Sequence, residues 1–133
     1  MPDWKILIAD DDPEDREIIG DAMQKLSQQN ILGFAENGEA ALDILNDCYS
    51  NGDVPCLIIL DLNMPRMNGT QTLQAIKQDH RLKTIPVIIY STSINPMEKE
   101  KCLELGAHSY MVKPISVRES IETAKTFLEF CSR

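Results

Sequence analysis

Apolar and polar positions along the 133-residue chain switch repeatedly between two periods. Residues 5–10 (KILIAD) form a short apolar run of strand length, and residues 13–28 then take helical spacing through Ile18, Ile19, Ala22, Met23 and Leu26. Asp12 stands where an N-cap belongs, with Pro13 at the first helical position, where its missing N–H costs nothing. The pair recurs: residues 31–36 read as strand, 38–47 as helix, and a polar loop from Tyr49 to Asp53 leads to a third strand at 56–61 (CLIILD). After a loop holding Pro65 and Asn68-Gly69, residues 70–79 carry Leu73 and Ile76 on one helical face, and 86–91 (PVIIYS) read as a fourth strand. Asn95-Pro96-Met97-Glu98 and Ser116-Val117-Arg118-Glu119 both match the capping box, in which cap side chain and third-residue carboxylate satisfy each other's N–H groups. Two further helices begin there. Leu105-Gly106 closes the first of them with a left-handed stop, residues 109–113 between them read as a fifth strand, and the last helix runs to about Cys131.

Five strand-helix units with near-continuous apolar strands call for a parallel sheet covered on both faces, because each right-handed crossover lays its helix on one side or the other. The expected fold is therefore α/β and doubly wound. The length suits one domain with no output domain attached, and the 43% apolar content suffices for a core without staples. In such sheets ligands bind outside the carboxyl ends of the strands, where the winding direction reverses.

Composition narrows the partners. A net charge of -8 and the absence of a basic stripe argue against nucleic acid, and no apolar run approaches the ~20 residues that a membrane span needs. The start, Met1-Pro2-Asp3-Trp4-Lys5, lacks the basic region and cleavage site of a signal peptide, which makes the cytoplasm the default compartment. Cys48, Cys56, Cys102 and Cys131 fall at wide, irregular spacings and read as free thiols.

The acids matter by position more than by sum. Asp10 and Asp11 follow the first strand, Asp61 ends the third, Ser91-Thr92 the fourth and Lys113 the fifth, while the second strand offers only Glu36. Converging carboxylates repel one another unless a cation sits among them. A hard divalent ion, Mg²⁺, matches an oxygen-only set with no His or Cys. Metal, lysine and hydroxyl around one central aspartate supply the parts for phosphoryl transfer, with Asp61 as the attacking carboxylate.

Asp10-Asp11, Leu60-Asp61-Leu62-Asn63-Met64-Pro65, Ser91 and Lys113-Pro114, each at its strand end and in this order, resemble a response-regulator receiver domain over essentially the whole chain. The resemblance is to the stand-alone chemotaxis and phytochrome-associated kind. It implies a flavodoxin-like fold of five strands in the order 2-1-3-4-5. It further implies that Asp61 accepts a phosphoryl group from a sensor histidine kinase or phosphotransfer protein. Asp11 and Asp61 would bind Mg²⁺ through their side chains, Asn63 through its backbone carbonyl and Asp10 through a water. Lys113 and Ser91 would meet the phosphoryl oxygens, and Tyr110 would turn inward as Ser91 moves. The face of the fourth helix, fifth strand and fifth helix would then bind a downstream protein target. The implied protein is a switch rather than an enzyme, with no membrane insertion, and is a monomer or weak homodimer.

Asp12 makes an acidic triplet and is assigned to helix capping. Ser91 stands where threonine is commoner in the family, Thr92 where alanine is frequent, and Asn63 and Ser93 flank the site at positions that tune how fast family members lose their phosphate. Lys113 is taken to end an interior strand and pair with the carboxylates. His80 and His108 read as solvated loop residues, and the acids outside Asp10, Asp11 and Asp61 as solvated surface. Two rivals remain. A haloacid-dehalogenase-type phosphohydrolase would use the Asp10-Asp11-Asp12 run but lacks a cap segment here, and a flavodoxin-like electron carrier would need a hydroxyl-rich phosphate loop where this chain has Asp-Asp-Asp-Pro-Glu-Asp.

Overall fold

The computed structural model describes residues 4–92 and 94–131. Ten elements alternate along it: β1 (Ile6–Ala9), α1 (Pro13–Lys25), β2 (Leu32–Ala35), α2 (Gly38–Ser50), β3 (Leu57–Asp61), α3 (Gly69–Gln78), β4 (Val87–Ser91), α4 (Pro96–Glu104), β5 (Ser109–Val112) and α5 (Val117–Glu129). All strand pairs are parallel and the sheet order is β2-β1-β3-β4-β5, as expected.

Strand alternation divides the core in two. Leu7, Ala9, Ile58, Leu60, Val87 and Ile89 face one side, where Ala41, Leu45, Leu73, Ile76 and Cys102 of α2, α3 and α4 close over them. Ile6, Ile8, Leu57, Ile59, Ile88 and Tyr90 face the other, against Ile19, Ala22 and Met23 of α1 and Ala124 and Phe127 of α5. Each interior strand is thus apolar on both faces, the reason for its unbroken run of hydrophobic residues. β2 and β5 are edge strands and more exposed, so Lys113 follows an edge strand and not an interior one.

Local chemistry places the ends. Asp12 caps α1, its Oδ1 accepting from the Glu14 N–H at 2.9 Å, with Pro13 at N1. Asn95 accepts from the Met97 and Glu98 N–H groups at the start of α4. At α5 the reciprocal bond is displaced by one residue: Ser116 Oγ accepts from the Glu119 N–H, while Glu119 Oε2 accepts from the Ile115 N–H rather than from that of the cap. The complete capping box lies at α3, between Asn68 and Gln71. Gly106, at φ +107°, takes the left-handed turn that stops α4.

One sequence expectation is corrected here. Cys56 and Cys131 are joined in a disulfide, with Cα atoms 5.4 Å apart across 75 residues of chain. Cys56 enters β3 at its amino end and Cys131 follows α5, so the fold brings together two positions whose spacing carries no motif. Cys48 and Cys102 are free and buried, as expected.

Candidate functional site

The winding reverses between β1 and β3, and their carboxyl ends open the crevice that such sheets use for ligands. Register then decides what meets there. Ala9 pairs with Leu60, which sets Asp10 beside Asp61, and Ser91 pairs with Val112, which puts Lys113 one step past the end of β4. The Lys113 N–H donates to the Ser91 carbonyl at 2.6 Å and fixes that last step.

Side-chain oxygens of Asp10, Asp11 and Asp61 lie within 4.8 Å of one another, with Asp10 and Asp61 buried and Asp11 exposed at the rim. Asp10 is 1% exposed; its Oδ1 accepts from the Asp12 N–H at 2.9 Å. Its Oδ2 accepts no aligned hydrogen bond, although the Lys113 ammonium lies 3.1 Å away as an ion pair. Asp61 is held from both sides, its Oδ1 accepting from the Asn63 N–H at 3.2 Å and its Oδ2 facing Lys113 Nζ at 3.2 Å. Burial raises the Asp61 carboxyl to about 6; the Lys113 charge opposes that rise and the Asp10 charge adds to it. Asp10 is raised as well, by burial first, against the Asp12 N–H and the lysine. Buried carboxylates with raised pKa values and an oxygen free of aligned donors fit a hard cation, which would replace the missing countercharge.

Lys113 is buried, and burial by itself would lower its pKa. Asp15, Asp10 and Asp61 outweigh that cost and hold it above the ordinary lysine value. Its ammonium also stands 5.7 Å over the Tyr90 ring, close enough for a cation–π contact. Asp15 was not foreseen. By sequence it reads as a solvated acid, yet its Oδ2 accepts from Lys113 Nζ at 2.6 Å, the shortest of the three lysine contacts. The sequence did carry a signal: Asp15 is the third residue of α1, on the first turn above the Asp10-Asp11 strand end.

The remaining expected residues are placed as follows. Ser91 ends β4 and is buried beside the cluster's strand ends, Asn63 is exposed in the loop after β3, and Tyr110 is buried within β5. Thr92 is exposed, and Ser93 lies outside the described residues. Glu36 is exposed and does not join the acidic group. His80 and His108 are exposed, as expected.

Gly69 supports the site from behind. A Cβ there would press on the Asp61 carbonyl oxygen and the Leu62 Cα, where the Gly69 N–H donates to the Leu62 carbonyl at 3.1 Å. Gly69→Ala is expected to destabilise the fold by ~1–3 kcal/mol, as overpacking against backbone does. An unchanged urea midpoint would mean that the loop yields freely.

Comparison with known proteins decides the family. Residues 6–125 match the model of the response regulator receiver domain. The chain belongs to this family. It is 34% identical over 121 residues to chemotaxis protein CheY1 of Helicobacter pylori (strain J99), which covers 89% of this chain and 94% of that protein. Among solved structures, the Mn²⁺-bound form of response regulator Rcp1 is 29% identical at a TM-score of 0.80, covering 95% of this chain and 92% of that one. The phosphorylated cyanobacterial phytochrome response regulator RcpA is 31% identical at 0.83, covering 96% and 92%. Other curated relatives are longer, and the chain spans 49% of their length. Receiver domains are signalling switches of two-component systems, and phosphorylation on aspartate is their standard mechanism. Among the described residues, no helix of this receiver is long and apolar enough to cross a membrane.

Proposed function

We propose that this receiver takes a phosphoryl group on Asp61 from a sensor histidine kinase or phosphotransfer protein and passes the signal on by binding another protein. The observation that carries the reading is one buried carboxylate, Asp61, flanked at a strand end by an ammonium and by two further carboxylates. An Asp61 carboxylate oxygen attacks phosphorus, the new O–P bond forms as the donor's bond to phosphorus breaks, and that electron pair leaves with the donor. Asp11, Asp61 and the Asn63 carbonyl would hold Mg²⁺, with Asp10 joined through a water. When bound, the ion neutralises charge on the transferring group. Lys113 pairs with phosphoryl oxygens from its seat among the carboxylates, and the Ser91 hydroxyl orients toward them. Tyr110 follows Ser91 as the aromatic part of the switch.

Phosphorylation adds about -1.5 to -2 charges and three acceptor oxygens at this point, so the donors around it must rearrange. The readout is the face of α4, β5 and α5. Support comes from exposed apolar side chains there, Ile94, Met97 (81% exposed), Leu103, Val112 and Ile115 (90%), which a protein partner would cover. In this proposal the receiver works in the cytoplasm as a monomer or weak dimer; its likeness to CheY1 and Rcp1 extends over nearly the whole of each. Turnover beyond its own phosphorylation and dephosphorylation is not part of the proposal.

Incubation with acetyl phosphate and Mg²⁺ tests it. An acid-stable, base-labile mass gain of one phosphoryl group is expected, absent without the cation and absent in Asp61→Asn. No gain in the native protein, or a gain that survives the substitution, would sink the assignment. So would steady hydrolysis of a phosphate ester that Asp61→Asn leaves intact.

A further inference from the structure

Resting on the Asp61 reading above, we propose that Asp15 is a positioning residue that withholds Lys113 from the phosphoryl group and so restrains the phosphorylated state. Three acceptors divide one ammonium: Asp15 at 2.6 Å, Asp10 at 3.1 Å and Asp61 at 3.2 Å. The shortest of these ties the ammonium to the first turn of α1 rather than to the acidic cluster. Asp15 pairs with Lys113 and is not among the three acids whose oxygens gather at the cluster, so its influence passes through Lys113.

Two consequences push the same way. To meet phosphoryl oxygens, the ammonium must give up or lengthen its hydrogen bond to Asp15, which is worth more than a neutral hydrogen bond because both partners are charged. Asp15 also adds a negative charge near a group that itself carries about two. Both raise the free energy of the phosphorylated state relative to the resting one. The Asp15 side chain is about a fifth exposed, 22%, which places its effect at the low end for a charged hydrogen bond.

Other charged groups around the ammonium do not take this part. Asp10 and Asp61 belong to the acidic cluster proposed to hold the cation, so their loss would remove that site together with any restraint. Asp12 accepts the capping hydrogen bond from the Glu14 N–H, and the ion pairs of Lys113 are with Asp10, Asp15 and Asp61 rather than with Asp12 or Glu14. Asp15 is the acceptor of Lys113 that can be neutralised while the cluster of Asp10, Asp11 and Asp61 is left whole.

The test uses beryllofluoride with Mg²⁺, a stable mimic of an aspartyl phosphate, titrated into the full chain. Asp15→Asn is expected to bind it about tenfold more tightly than the native protein, the scale of a partly exposed hydrogen bond to a charged group. Asp15→Glu, which keeps the carboxylate, is expected to return most of the way to native affinity. A second readout needs no ligand: in metal-free protein the ¹⁵N-¹H signal of the Lys113 ammonium, slowed in exchange by its bonds, is expected to exchange faster in Asp15→Asn. A structural role alone would move neither in this pattern. Native or weaker beryllofluoride affinity in a folded Asp15→Asn overturns the proposal, as does an Asp15→Glu protein that binds like Asp15→Asn. Failure of the native protein to bind beryllofluoride overturns the Asp61 reading instead, so the two failures are distinct. If Asp15→Asn melts well below the native protein, Asp15→Ser provides the same neutralisation, and the same two results decide.

Discussion

Methionine in place of Lys113 is expected to lower the folding stability by about 3 kcal/mol near pH 8 without divalent cation, and to remove phosphoryl capture from acetyl phosphate. The substitution keeps length and apolar stem but deletes the ammonium that faces Asp10, Asp61 and Asp15. Two of those carboxylates are buried, and removing one partner of a buried ion pair leaves charge that nothing compensates, at about 3–5 kcal/mol. The crevice opens to solvent past Asp11 and Asp15, which sets the lower end of that range. The pH dependence has a defined sign. Asp61 already titrates near 6 in the fold against an ordinary 3.8, so its protonated form is the one the fold prefers. The stability it contributes is fully present below about pH 4 and is lost as pH rises through 6. Without Lys113 the opposing charge disappears, the raised window extends upward, and the variant approaches native stability at pH 5 while falling away at pH 8. Urea denaturation at the two pH values, repeated with Mg²⁺, is the measurement. Equal native and variant midpoints at pH 8 would contradict the ion-pair account. Recovery on adding Mg²⁺ would show a cation doing what the lysine does in the resting site.

Breaking the Cys56–Cys131 bond is expected to have the largest effect on stability, about 4.5 kcal/mol, and little effect on phosphorylation. In the chain-entropy account, a cross-link restricts the unfolded chain by an amount that grows with the loop it closes, and a separation of 75 residues puts the estimate there. The bond ties the amino end of β3 to the second residue after α5, at the opposite end of β3 from Asp61. Cys131→Ser, or native protein treated with reductant, should unfold at a lower urea concentration, while the Asp61 mass gain with acetyl phosphate persists. Cys48 and Cys102 are buried and unpaired, so they give a control: oxidised protein should show no reactive thiol until it unfolds. Thiol titration of unfolded, unreduced protein that found all four cysteines free would dismiss the bond.

Most of the site could be read from the chain because its members are anchored locally. A residue that ends a short apolar run lies at a strand end, and parallel winding gathers strand ends of like direction on one edge. Asp10, Asp11, Asp61, Ser91 and Lys113 are all of this kind. The helix caps at Asp12 and Asn95 were legible for the same reason, since a cap is settled within three residues. Where the local pattern is read alone it misses: Glu119 bonds one residue before its cap, and Asn68, which reads as loop, caps α3 in a full capping box with Gln71.

The sequence by itself determined the alternation of strands and helices, the two-sided burial of the interior strands, and the acids and the lysine that face the crevice. Only the tertiary structure decided how that lysine is shared. Lys113 and Asp15 are 98 residues apart, and the Cys56–Cys131 pair 75, so no local period links either contact. The same holds for the close approach of Gly69 to Asp61 and for Tyr90 beneath the ammonium. Periodicity states which face a side chain takes, while distances of two to six ångströms between elements depend on strand register and helix packing. Those are fixed by the whole core at once.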